Sequence, residues 1–296
     1  MPQPPAKPEN EIPLGTWQVT EESVLSYIQA VGGLPDLYLE AQMAPPIALL
    51  AWSLGGLLRH LDLPPGAIHS LQEMETVRGI RFGESITALA RMGATRRRGG
   101  MEFITVTYTL KTADGEEVMR GKSTVLVDRG ETVSSEDQGS SGGNPSGQEK
   151  PSVPPQPDLT SQSGHSIIER TITQERLNAY SEASGDHNPL HLDAAFAATT
   201  QFGGIIAHGM LNLALVSESM GSAYGRAWLE SGTLAVKFKG AAYLGDRLFA
   251  ESEFSKEQPV EKGLRQICTV GVRDRDSGRV LVSGSASVII SGENPG

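Results

Sequence analysis

Two side chains that can share a proton stand five positions apart in this chain. They are the carboxylate of Asp186 and the imidazole of His191, in the run SGDHNPLHLD from Ser184 to Asp193. A carboxylate and a histidine held on one short turn can hold a water molecule between them and move its protons. The unperturbed imidazole titrates near 6.5, so His191 can serve in either protonation state close to neutrality. Further along, Ala207-His208-Gly209 opens an apolar run, MLNLALVSE, with helical spacing. A backbone N–H at a helix start carries partial positive charge and can receive an oxygen on which negative charge develops. Glycine at position 209 leaves room for a ligand to approach that backbone. The stretch Tyr180 to Glu218 thus pairs water activation with an oxyanion donor.

Plainer readings stand beside each of these residues. Asn188-Pro189 is an ordinary turn signal, and an isolated Asp186 would serve as a turn or cap residue. His187 reads as a solvated neighbour. His208 caps the helix, orients the loop or meets a substrate, and Ser217, two turns into the helix, either bonds back to its own backbone or lies near the site. The spacing His187-x3-His191-x-Asp193 has a metal-ligand look. Asn-Pro, however, interrupts the helix that would bring two histidines to one face, and no cysteine set supports it, so no metal is expected. Arg96-Arg97-Arg98 reads as a solvated hairpin end that could also meet phosphates.

A length of 296 residues allows two ordinary domains. A net charge of -10, from 25 Lys+Arg against 35 Asp+Glu, argues against nucleic acid as a partner, since phosphate binding calls for a basic surface. The lone Cys268 excludes an intramolecular disulfide and fits a reducing, cytoplasmic setting. The opening MPQPPAKPENEIP lacks the apolar core of a secretory signal, and residues 1–15 are expected to be a disordered or extended lead-in. The most apolar run, Met43 to Leu58, carries prolines and glycines and falls short of the roughly 20 residues of a membrane span, so a buried helix is expected and no membrane partner.

Thr20 caps a short amphipathic helix with apolar Val24, Leu25, Ile28 and Val31, and Ala44-Pro45-Pro46 leads into the buried helix. Alternating, β-branched runs follow, separated by turns at Gly83, Gly99-Gly100 and Asp114-Gly115, which predicts an antiparallel meander. Residues 129–163 are rich in Gly, Ser and Pro and cannot bury enough apolar area to offset chain entropy, so they are read as a flexible linker. The remainder, 164–296, repeats the plan of 16–128.

The repeat has a nearly constant spacing. Ala44 and Ala207 are 163 residues apart, Gly83 and Gly245 are 162, Gly115 and Gly278 are 163, and Gly121 and Gly284 are 163. Earlier, Thr20 and Thr173 are only 153 apart, so the first copy is ten residues shorter between its first helix and its buried helix. The missing piece corresponds to the segment holding DHNPLHLD, and Pro45-Pro46 stands where the second copy has His208-Gly209. One copy carries the chemistry and the other does not.

Ser184-Gly185-Asp186, Asn188-Pro189-Leu190-His191, Phe202, Ala207-His208-Gly209-Met210 and Ser217 together resemble the MaoC-like dehydratases and (R)-specific enoyl-CoA hydratases. The match is dense over Thr171 to Ser219 and fades to general plan over the sheet, where Gly240 and Ala241 replace a common proline. The resemblance implies an α+β double hotdog: two helix-wrapped antiparallel sheets joined into one, with 16–128 as the degenerate unit and 164–296 as the catalytic one. It implies an acyl-CoA thioester substrate, an enoyl-CoA hydrated to the 3-hydroxyacyl-CoA or the reverse, with no cofactor. It also allows a homodimer of such chains. Asp186, His191 and Gly209 would be catalytic, and Asn188, His208 and Ser217 would contact substrate. A hotdog thioesterase and a non-catalytic acyl-thioester-binding module are the alternatives.

Overall fold

A computed structural model of the chain describes residues 11–60, 67–98, 100–128 and 168–291. The first copy runs β1 (Ile12–Gln18), α1 (Glu21–Val31), α2 (Asp36–Ala41), α3 (Pro46–His60), β2 (Ile68–Thr76), β3 (Ser85–Met92), β4 (Arg96–Arg98), β5 (Met101–Thr112) and β6 (Glu117–Asp128). The second runs β7 (Ile168–Thr171), α4 (Gln174–Ser184), a 3-10 turn over Pro189–His191, α5 (Ala194–Ala198), α6 (Gly209–Tyr224), α7 (Arg226–Ser231), β8 (Thr233–Phe238), β9 (Arg247–Val260), β10 (Gly263–Asp274) and β11 (Val280–Ile290).

Local chemistry sets the ends of the first helix in each copy. Thr20 accepts a hydrogen bond from Ser23 N–H, and Thr173 accepts one from Arg176 N–H. Such caps satisfy amides that have no partner inside the helix. Both helices stop at a glycine in the left-handed region, Gly32 at φ 74° and Gly185 at φ 73°, where a side chain would be strained. The long helices differ. Every residue of α3 from Pro46 to Leu57 is buried, as is most of α6, in keeping with their near-continuous apolar sequence.

The strands form one antiparallel sheet in the order β1-β3-β5-β6-β2-β8-β11-β10-β9-β7, with β4 attached to β5. The copies join where β2 pairs with β8, from Leu71 opposite Lys237 to Glu75 opposite Thr233. The helices α3 and α6 touch each other, and α6 also packs on β9, β10 and β11. This is the expected α+β double hotdog. The repeat is visible bond by bond: Gly83 N–H reaches Val19 O at 2.7 Å and Gly245 N–H reaches Ile172 O at 2.9 Å, while Ala44 N–H meets Ile80 O at 2.9 Å and Ala207 N–H meets Ala242 O at 2.8 Å.

One boundary is corrected. The lead-in expected over residues 1–15 already contains β1, which starts at Ile12, pairs with β3 and buries Leu14. A bulge between Pro13 and Gly15 breaks its alternation, which hid the strand from a periodicity reading. The four-residue β7 and the six-residue α2 and α7 are too short to display a period. The linker expected over 129–163 lies outside the described residues. No helix among the described residues is long and apolar enough to cross a membrane.

Candidate active site

The chain leaves α4 at Gly185 and reaches the start of α6 through a loop that turns Asp186 and His191 inward. Ser181 Oγ donates to Asp186 O at 2.8 Å, and Asn188 N–H donates to Asp186 Oδ1 at 3.2 Å. Asn188 caps the 3-10 turn, its Oδ1 accepting from Leu190 N–H at 3.0 Å, so Asn-Pro fixes the position of His191. Trp52 of α3 supports the same corner from the first copy, its indole N–H donating to Ala183 O at 2.9 Å.

Asp186 is 9% exposed and His191 is 7% exposed. His191 Nδ1 lies 2.8 Å from Ile206 O, and a carbonyl can only accept, so Nδ1 carries the proton and Nε2 keeps a lone pair. Burial pulls the His191 pKa below its ordinary value, opposed by the charge of Asp186 and the bond to Ile206. The neutral imidazole is therefore the resting form at neutral pH. Both members of the pair present acceptors.

A cavity of about 550 Å³ opens against these groups, a size suited to a small-molecule ligand. Asp186, Asn188, His191 and Gly209 all line it. Gly209 is the first residue of α6, where the N–H has no acceptor within the helix. A Cβ there would sit 3.2 Å from the ring of Phe238, so the wall is already close-packed around a bare backbone.

Two expected substrate contacts lie behind the cavity. His208 is fully buried, and its Nε2–H donates to Asp186 O at 3.1 Å while its ring packs on His191 with centroids 3.9 Å apart. It braces the Asp186–His191 loop from the side away from the ligand space. Ser217 accepts a hydrogen bond from the Trp228 indole at 3.0 Å and is likewise buried, because two turns of helix carry it past the cavity. His187 is an exposed neighbour, its Nδ1 2.8 Å from Ser181 Oγ. Of Arg96-Arg97-Arg98, all exposed, Arg97 pairs with Glu102 at 3.1 Å.

The spaced set His187, His191 and Asp193 does not assemble, since Asp193 caps α5 by accepting from Ala195 and Phe196 N–H. Asp186, His191 and His208 do offer one ligand atom each within 4.8 Å of one another, the only such group of three among the described residues. With Nδ1 of His191 and Nε2 of His208 engaged on carbonyls, the remaining ligand atoms are His191 Nε2, His208 Nδ1 and the carboxylate of Asp186, whose Oδ1 also accepts from Asn188 N–H.

Among the cavity residues that escaped the sequence reading are two with unpartnered polar atoms. Asn212, one turn beyond Gly209, is buried with Oδ1 unpartnered, and His69 comes from β2 of the other copy. Position i+3 from Gly209 on the helix could have marked Asn212. Nothing local could have marked His69, which reaches the site only through the β2–β8 seam.

Both halves of the chain match known proteins. A family model described as a MaoC-like domain matches residues 159–275, and one described as a FAS1-like dehydratase domain region matches residues 11–121. The chain is 30% identical over 122 residues to a 3-hydroxybutyryl-CoA dehydratase of Methylorubrum extorquens, covering 41% of this chain and 75% of the relative. It is 37% identical over 114 residues to an (R)-specific enoyl-CoA hydratase of Aeromonas caviae, covering 37% of this chain and 80% of the relative. A solved MaoC-like dehydratase superposes with a TM-score of 0.71 at 20% identity, over 97% of this chain and 99% of that one. A Mycobacterium tuberculosis protein described as having a double hotdog fold gives 0.64 at 10% identity, over 95% of each.

Proposed function

The chain belongs to the MaoC-like dehydratase family, a family of hydro-lyases, and we propose that it interconverts 2-enoyl-CoA and 3-hydroxyacyl-CoA thioesters at the Asp186–His191 cavity. The single observation that carries this reading is the pairing of two acceptors, the Asp186 carboxylate and His191 Nε2, on one wall of a cavity that the Gly209 backbone also lines.

A water that donates both hydrogens to this pair is left with a lone pair free to face the substrate. As its oxygen adds to the β-carbon, one hydrogen passes to the Asp186–His191 pair, and the double-bond electrons move toward the α-carbon and the thioester oxygen. The pair then delivers one proton to the α-carbon. Hydroxyl and hydrogen have been added across the double bond, and no electron is gained or lost. The N–H of Gly209, with the partial positive charge of a helix start, receives the oxygen as it becomes negative. No cofactor enters this scheme. Asn188 and His208 hold the loop in place for it.

Purified protein mixed with crotonyl-CoA and longer enoyl-CoAs should remove the conjugated enoyl absorbance without releasing free thiol. Release of thiol with the conjugation intact would replace hydration by thioester hydrolysis, and no reaction with any of them would remove the enzymatic reading.

A further inference from the structure

The cavity is not built by the second copy alone. Leu54, Leu58, Ala67 and Val125 bring an apolar wall from the first copy, and β2 adds a polar side chain, His69. Its imidazole is tilted against Phe238 of β8 with centroids 4.6 Å apart, and a Cβ placed on Gly209 would come within 3.6 Å of its Nδ1. The ring therefore sits beside the start of α6, across the seam between the copies. Neither of its nitrogens makes a hydrogen bond of ordinary geometry, although the Leu71 backbone and the Gln72 side chain lie nearby, and both are shut off from water. A buried polar group left unpaired costs free energy, and β2 could pair with its neighbours through the backbone whatever side chain stood at position 69. The arrangement is accounted for if a ligand supplies the missing partner.

We propose that His69 donates a hydrogen bond to the thioester carbonyl oxygen, forming with the Gly209 N–H a two-donor oxyanion site that spans both copies. This rests on the hydratase reading given above. Burial pushes the His69 pKa down to about 4, against the influence of the nearby Leu71 backbone and Gln72 side chain, so the ring is neutral and carries one N–H. A neutral imidazole can polarise a carbonyl without surrendering a proton to the enolate, which an imidazolium would do readily. The final torsion of a histidine side chain is soft, so the N–H can turn toward the oxygen as substrate arrives. As water adds to the β-carbon, charge accumulates on that oxygen, and the bond from His69 strengthens with it. The copy that lacks the Asp-His loop then takes part in the chemistry.

The test uses full-length Asp186→Asn protein and 4-(dimethylamino)cinnamoyl-CoA, whose absorption moves to the red when its carbonyl oxygen accepts strong hydrogen bonds. Binding should produce a red shift. Adding His69→Phe, which keeps the ring and removes the N–H, should diminish that shift while titration still shows binding, and His69→Gln should restore part of it. With Asp186 intact, His69→Phe should lower kcat on crotonyl-CoA by about 10²-fold, the scale of one lost oxyanion donor, with KM changed only a few-fold. An undiminished red shift in the His69→Phe protein, or a loss confined to KM, overturns the proposal. Should the wild-type chain leave every enoyl-CoA unchanged while the His69-dependent shift persists, the hydratase reading fails and the contact stands. Absence of any binding overturns both.

Discussion

Between the glycine that ends its first helix and the alanine that ties its buried helix to the sheet, each copy bridges the same two anchors with different chain. In the first, Gly32 to Ala44 holds only the short α2. In the second, Gly185 to Ala207 holds the Asp186 turn, His191 and α5. At the next residues the contrast continues: Pro45-Pro46 opens α3, and His208-Gly209 opens α6. Proline is well suited to a first helical turn because the N–H it lacks has no partner there. In the proposed chemistry, that same N–H is the oxyanion donor. A hotdog unit can therefore lose its site without loosening its fold, since the loop and the amide are not what hold the helix on the sheet.

The sharpest way to break the comparison is to make the second copy as silent as the first. Asp186→Asn and His191→Ala should each lower enoyl-CoA turnover by about 10³-fold or more, in the upper range for acid–base groups. Circular dichroism should report an unchanged fold, because Asn can still accept the Asn188 N–H bond now made by Asp186. Full activity in both variants would remove the loop from the mechanism.

The next contrast concerns one amide. Gly209→Pro copies the first half's helix start, and it should cost about 10²- to 10³-fold in kcat, as removal of an oxyanion donor does. The added ring also crowds Phe238, so Gly209→Ala, which adds a Cβ and keeps the N–H, is the companion measurement. Proline no worse than alanine would mean that crowding, not the donor, explains the loss. The reverse graft, Pro45→His with Pro46→Gly, should create no turnover in an Asp186→Asn background, since the first copy still lacks its loop.

A third contrast lies in titration. Burial depresses His191 and His208 of the second copy and His69 of the first, whereas the first copy has no counterpart of His191 and carries Pro45 where the second has His208. With His191 as the proposed neutral base, the acid limb of kcat/KM should accordingly fall below pH 6.5, because its folded pKa is lowered. Stability should follow the same sign. All three histidines bind protons more readily when unfolded, so the stability they lend is whole above about 6.5 and is lost as pH falls toward their folded values, about 4 for His69. Urea midpoints that stayed flat from pH 7 to 5 would contradict this.

What the sequence disclosed divides along the same line. The two-copy plan, the shortened segment and the gathering of Asp186, His191 and Gly209 at one cavity were legible because each depends on neighbours in sequence: a turn, a cap, a repeat spacing. The bulged β1 and the six-residue helices were hidden because their patterns are too short or broken. His69, on β2, was hidden for a different reason. Only the pairing of Leu71 with Lys237 and its neighbours carries β2 to the wall beside Phe238, and no local pattern reports a seam between copies. His208 and Ser217 show the converse, that a residue can sit in the right motif and face the wrong way.

Ser217 permits the finest test of that distinction. Its hydroxyl accepts from the indole N–H of Trp228, a side chain with no exposed surface, at the junction of α6 and α7. Ser217→Ala leaves that N–H buried without an acceptor, which costs about 1–3 kcal/mol. The expected result is a lower urea midpoint at unchanged slope, with kcat and KM for crotonyl-CoA close to those of the parent. The stability loss should also shrink when Trp228→Phe is introduced first, since the orphaned donor is then already gone, and a double-mutant cycle measures that coupling. A fall in kcat with an unmoved midpoint would return Ser217 to the cavity and erase the boundary drawn between the groups that touch substrate and those that hold the helix.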